Sequence, residues 1–78
     1  MSDLAPTEEL DCRGMNCPLP VLKTKKAIVR LASGDILKVI ATDPGVRADF
    51  EAFSRRTGHE IVERSEDSGE FVFVFRKS

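Results

Sequence analysis

Between Glu70 and Arg76 five apolar residues run without a break, and a period of two would put Phe71, Phe73 and Phe75 on one face and Val72 and Val74 on the other. The phenylalanine face is expected to meet helices. Upstream, Asp35 to Thr42 holds Ile36, Leu37, Val39 and Ile40, the near-continuous apolar run of a central strand covered on at least one face. His59 to Arg64 reads as another strand around Ile61 and Val62, and Glu66 to Gly69 as a polar turn short enough to make an antiparallel hairpin with the strand at Glu70. Thr7 to Cys12 is the fourth candidate, with Leu10 as its inward residue.

Two segments follow a helical period instead. Val21, Leu22, Ile28, Val29 and Ala32 fall on one broad side of a helix that should close at Ser33-Gly34. Lys23, Lys26 and Arg30 share the opposite side, with Lys25 near the apolar edge. In the second segment Asp43 is a suitable N-cap and Pro44 a suitable first helical residue. Val46, Phe50, Phe53 and Thr57 then recur at i, i+4, i+7 and i+11 until Gly58.

The resulting order, β-α-β-α-β-β, predicts an α/β (α+β) two-layer sandwich. Right-handed crossovers would place both helices on one face of a four-stranded mixed sheet and leave the other face open. Met1 to Pro6 is expected to be a flexible tail, and residues 7–78 a single domain. A chain of 78 residues buries only about 60% of its unfolded surface, so little stability is in reserve.

Composition narrows the function. Hydrophobic residues make up 41% and charged residues 32%, the balance of a globular chain, and no apolar run nears the roughly 20 residues of a membrane span. Met1 to Glu9 carries three acidic groups and no basic one, unlike a secretory leader, so a cytoplasmic protein is expected. A net charge of −1 argues against direct nucleic-acid binding, and no aromatic residue is interleaved with the basic stripe for base stacking. A monomer is expected.

The chemistry concentrates in Asp11-Cys12-Arg13-Gly14-Met15-Asn16-Cys17-Pro18-Leu19-Pro20, which holds both cysteines and two of the four prolines. Proline is tolerated in a first helical turn, where amide hydrogens lack partners anyway, so Pro18 and Pro20 put Cys17 at or beside an N-cap. There a thiol faces free amides and the positive end of the helix dipole, which favours thiolate. Gly14 allows a bend just before it. Two cysteines and His59 are too few for a structural zinc site, and no cofactor motif is present.

Asp11-x-x-Gly14-x-x-Cys17-Pro18-x-Pro20 resembles the signature of the TusA (SirA-like) family of small sulfur carriers, and the order of elements is similar over about residues 7 to 77. The resemblance implies that Cys17 carries sulfur as a persulfide. It would be loaded by a cysteine desulfurase or rhodanese-like donor and unloaded to an acceptor sulfurtransferase in a relay such as tRNA thiolation, cofactor sulfuration or sulfur oxidation. It assigns no metal or cofactor.

Several readings stay open on the residues alone. Cys12 is either a small strand-end residue or a partner for Cys17 across C-x4-C, if their Cα atoms come within about 7 Å. Arg13 either pairs with Asp11 or holds the anion on Cys17. Lys23, Lys26 and Arg30 are either a solvated face or a docking stripe for an acidic partner. His59 is either an ordinary residue at a strand start or a functional one. The competing class to a carrier is a regulatory or RNA-contacting module in which Cys17 is a redox switch.

Overall fold

A computed structural model describes residues 6–16 and 18–78. The elements are β1 (Glu8–Cys12), α1 (Leu19–Ile28), β2 (Ile36–Ala41), α2 (Val46–Thr57), β3 (Glu60–Asp67) and β4 (Glu70–Arg76). They build the expected β-α-β-α-β-β two-layer sandwich. The tail expected over Met1 to Pro6 lies, except for Pro6, outside the described residues.

The strand order is β1-β2-β4-β3, with β1 parallel to β2 and β4 antiparallel to both its neighbours. Leu37 pairs with Phe75, Val39 with Phe73 and Ala41 with Phe71, so the inward residues of the two central strands form one apolar surface. Both helices lie on it. Phe50 of α2 meets Phe73 and Phe75 edge-on at centroid distances of 5.0 and 5.3 Å, and Phe53 meets Phe75 at 5.7 Å. Edge-to-face packing sets the positive ring edge against a negative face.

The inward side of α1 differs from the expected one. Pro20, Thr24, Ala27 and Ile28 are buried, whereas Leu22 is 47% and Val29 64% exposed, and Ala32 is exposed too. Thr24 can take an inward place because its hydroxyl donates to the Pro20 carbonyl at 2.8 Å and so enters the core with its polar group satisfied, while Val29 and Ala32 lie past the last helical residue. The helix also ends early, at Ile28 rather than near Ser33-Gly34. The Asp35 carboxylate takes the Ala32 amide at 2.9 Å and the Lys77 carbonyl the Gly34 amide at 2.8 Å, tying this segment to the sheet end.

The second helix begins later than Asp43-Pro44. The Asp43 carboxylate accepts the Gly45 amide at 2.9 Å, and a tighter turn, Val46 N–H to the Asp43 carbonyl, leads into α2. Thr57, expected on the inward stripe, is exposed, with its hydroxyl bonded back to the Phe53 carbonyl at 2.7 Å.

The third strand runs to Asp67, so the first half of the expected turn, Glu66 and Asp67, is strand. The true connection is Ser68-Gly69, whose φ values of 53° and 81° suit a two-residue hairpin turn. Glutamates obscured this strand in the sequence, but an edge strand tolerates charge, and charge protects it from pairing with other chains. On the outer face Val72 is half-buried and Val74 only 6% exposed; the register sets Lys38 and Glu63 on either side of Val74.

Candidate functional site

The ten-residue motif forms the junction of β1 and α1. Cys12 closes β1 opposite Ala41 and is fully buried among the apolar residues beneath the helices. Burial pushes its thiol pKa up, so it is held neutral, poorly nucleophilic and shielded from solvent. Cys12 thus takes the place that its reading as a small strand-end residue expects. The position of Cys17, and with it the separation of the two thiols and the thiol's place at the helix start, lies outside the described residues.

The residues on either side of Cys17 form a turn and a helix start. Gly14 adopts φ +79°, a conformation that costs other residues strain, and the Met15 amide closes the turn on the Cys12 carbonyl at 3.2 Å. Met15 packs against the core and Asn16 is exposed. Beyond Cys17, the Leu19 amide bonds the Asn16 carbonyl at 2.9 Å and the Leu22 amide bonds the Pro18 carbonyl at 3.1 Å. Pro18 occupies the cap position of α1, and Pro20 is buried in its first turn. Met15 before Cys17 and Pro20 after it are thus both seated on the core.

Asp11 and Arg13 form a forked pair. Arg13 Nε donates to Oδ1 at 3.0 Å and Nη2 to Oδ2 at 2.9 Å, while the Arg13 amide also donates to Oδ1 at 3.0 Å. These bonds to Arg13 hold the Asp11 pKa down at about 2 and push the Arg13 pKa up. Arg13 Nη1 also reaches Glu70 Oε2 at 3.5 Å. The ion pair expected between Arg13 and Asp11 is present, and the Arg13 cation faces two carboxylates.

Two residues outside the motif make contact with it. Glu70 contacts Arg13 from the start of β4, and Thr42, just past β2, accepts the Gly14 amide on Oγ1 at 2.9 Å. Nothing in the sequence pointed to either, because each acts across the sheet end and not along the chain.

Lys23 and Lys26 stand exposed on α1, as expected. Arg30 lies past the helix end and pairs with Glu8 at 3.0 Å, so the third member of the stripe leans on β1. An open groove of about 350 Å³ separates the helices beside Pro18, floored by Val21, Leu22 and Phe53 and rimmed by Lys25 and Arg56.

His59 sits at the opposite end of the sheet from the motif, where β3 starts. Its Nδ1 accepts the Ser78 amide at 3.1 Å, its ring packs on Phe53 at 5.8 Å, and burial lowers its pKa. It is a structural residue. Among the described residues, no group of three or more His, Cys, Asp or Glu could hold a metal ion, and no helix is long and apolar enough to cross a membrane.

Residues 8–77 match the family described as Sulfurtransferase TusA. The chain is 51% identical over 71 residues to the sulfur carrier protein TusA of Allochromatium vinosum, covering 91% of this chain and 93% of that one. It is 44% identical over 77 residues to the sulfur carrier protein TusA of Pseudomonas putida, covering 99% and 96%. The fold is similar to a crystal structure of a SirA-like protein from Desulfitobacterium hafniense, with a TM-score of 0.79 over 88% of this chain and 95% of that one at 24% identity. The chain belongs to the TusA family of sulfur carriers.

Proposed function

We propose that Cys17 carries the sulfur, as a persulfide. Its thiolate attacks the outer sulfur of a persulfide on a donor protein, a cysteine desulfurase or a rhodanese-like protein. The new bond joins Cys17 Sγ to that sulfur, and the donor cysteine leaves as a thiolate. A thiolate on an acceptor sulfurtransferase then attacks the same outer sulfur and regenerates Cys17. Each step is an exchange at sulfur with no net oxidation, so no cofactor is called for. The relay would run in the cytoplasm and feed a process such as tRNA thiolation, cofactor sulfuration or sulfur oxidation.

The observation that carries this reading is the burial of Cys12 in a family of sulfur carriers, which leaves Cys17 as the cysteine free to react. Asp11, Arg13 and Gly14 shape the turn before it, and Pro18 and Pro20 start the helix after it. Lys23 and Lys26, with Arg30 at the margin, would steer an acidic partner towards the site.

Incubation with a persulfide donor followed by mass spectrometry tests the proposal. A gain of about 32 Da, one sulfur, is expected on a peptide containing Cys17 and is expected to disappear in Cys17→Ser. A wild-type protein that never gains this mass from an active donor would overturn the reading.

A further inference from the structure

We infer that Thr42 is a positioning residue for the Cys17 segment, acting through its hydrogen bond to Gly14; the inference rests on the proposed role of Cys17. Thr42 follows β2 directly, and the register of β1 with β2 sets Cys12 beside Ala41. The loop after β1 and the loop after β2 therefore leave the sheet side by side, at the carboxyl ends of two parallel strands. In open α/β sheets that is where ligands and reacting groups gather.

Between these loops the Gly14 amide donates to Thr42 Oγ1 at 2.9 Å. The other bonds described at this turn are local, Met15 to Cys12 and Arg13 to Asp11, and shape the bend without fixing where it lies over the sheet. The contact of Arg13 with Glu70 does cross the sheet end, but at 3.5 Å it is longer than the 2.9 Å Gly14–Thr42 bond and joins the ends of two long side chains, not the backbone of the turn. Thr42 instead grips the backbone three residues before Cys17, where a small shift is passed directly to the thiol. Sulfur transfer between two proteins needs the reacting sulfurs aligned at close range, so displacement of this loop slows transfer without any loss of nucleophilicity.

The bond is exposed, so water can take the place of Oγ1 and the fold should hardly notice its loss. Thr42→Val keeps the branched shape and removes the acceptor; Thr42→Ser keeps the acceptor. In Thr42→Val the Gly14 amide should exchange with solvent roughly two- to tenfold faster, the factor expected for one net hydrogen bond. Transfer from a persulfidated donor protein should slow by a similar factor. Alkylation of Cys17 by iodoacetamide at pH 10 and the thermal midpoint should stay at wild-type values, and Thr42→Ser should restore both exchange and transfer. Normal Gly14 exchange in Thr42→Val, or normal transfer despite faster exchange, overturns the inference. So does a fall in transfer matched by a fall in thermal midpoint, the mark of a purely structural role. Should wild-type protein take up no sulfur at all, it is the carrier reading that fails, and Gly14 exchange, faster in Thr42→Val and restored in Thr42→Ser, still decides whether Thr42 holds the loop.

Discussion

Arg13 holds Asp11 by a two-nitrogen fork, Nε to Oδ1 at 3.0 Å and Nη2 to Oδ2 at 2.9 Å, within a three-residue stretch that ends β1 and begins the turn to the Cys17 segment. The pair is exposed, so its effect lies in fixing the turn more than in adding stability.

The first prediction concerns its titration. With Asp11 at about 2 in the folded protein against an ordinary 3.8, the stability linked to this carboxylate is complete above about pH 4 and is lost as pH falls towards 2. Nuclear magnetic resonance should place the Asp11 midpoint near 2, and Arg13→Gln should raise it. An Asp11 that titrates near 4 in wild-type protein would show that the fork does not form in solution.

Packing leads to the second. Phe50 is fully buried and touches two phenylalanines of β4. Phe50→Ala should cost about 3–5 kcal/mol, from a total of roughly 4–12 kcal/mol at 0.05–0.15 per residue. Val29→Ala, at a 64% exposed position, should stay within about 0.5 kcal/mol. Urea titration of the two variants would separate them, and equal midpoints would refute the core assignment.

Much of this fold was legible because its signals are strong and local. The phenylalanine stripe of β4, the apolar run of β2 and the Val46-Phe50-Phe53 spacing all match their burial. What escaped was long-range. Thr24 is a polar residue that the core accepts because its hydroxyl bonds the Pro20 carbonyl, while apolar Leu22 and Val29 stay exposed, so the apolar period alone misplaced the inward side of α1. The second half of β3 carries the charges of a loop, and only pairing with β4 makes it a strand. At the site, the motif and its turn could be read from Gly14 and the prolines, and the Asp11–Arg13 pair was one of two open readings. Thr42 and Glu70 could not be found, since they are 28 and 57 residues away from the groups they hold.

Charge on α1 supports a third prediction. Lys23→Glu with Lys26→Glu should slow sulfur uptake at low salt, and the defect should shrink as ionic strength rises, since exposed charges are screened beyond about 8–10 Å at physiological salt. Arg30→Glu should act less strongly through steering, because Arg30 is already matched by Glu8. Transfer rates unaffected by the lysine reversals at low salt would reduce the stripe to a solvated face.

His59 offers a fourth, through pH. Burial lowers its pKa below 6.5, and its Nδ1 must stay unprotonated to accept the Ser78 amide. The unfolded chain therefore binds this proton more readily, so the linked stability is complete above about pH 6.5 and is lost as pH falls through the folded value. Urea midpoints measured between pH 7.5 and 5 should fall in wild-type protein and flatten in His59→Asn, whose amide oxygen can take the same hydrogen bond without titrating. Parallel curves for the two proteins would exclude His59 as the source.

The last prediction separates the two thiols. Cys12 lies at 0% exposure among Ala41, Val46 and other core residues, and burial keeps its proton on. Cys12→Ser would place a hydroxyl in that apolar setting and should cost about 1–3 kcal/mol, while Cys12→Ala, with no polar group to satisfy, should cost less. Because Cys12 holds no sulfur in the proposed relay, both variants should carry and deliver sulfur at the wild-type rate once the folded fraction is taken into account. In Cys17→Ser, Cys12 should resist alkylation until the protein opens, so its labelling should quicken with urea in step with unfolding. Persulfide found on Cys12 of Cys17→Ser, and passed to an acceptor at the normal rate, would show that the buried thiol can reach its partners and would transfer the carrier role to it.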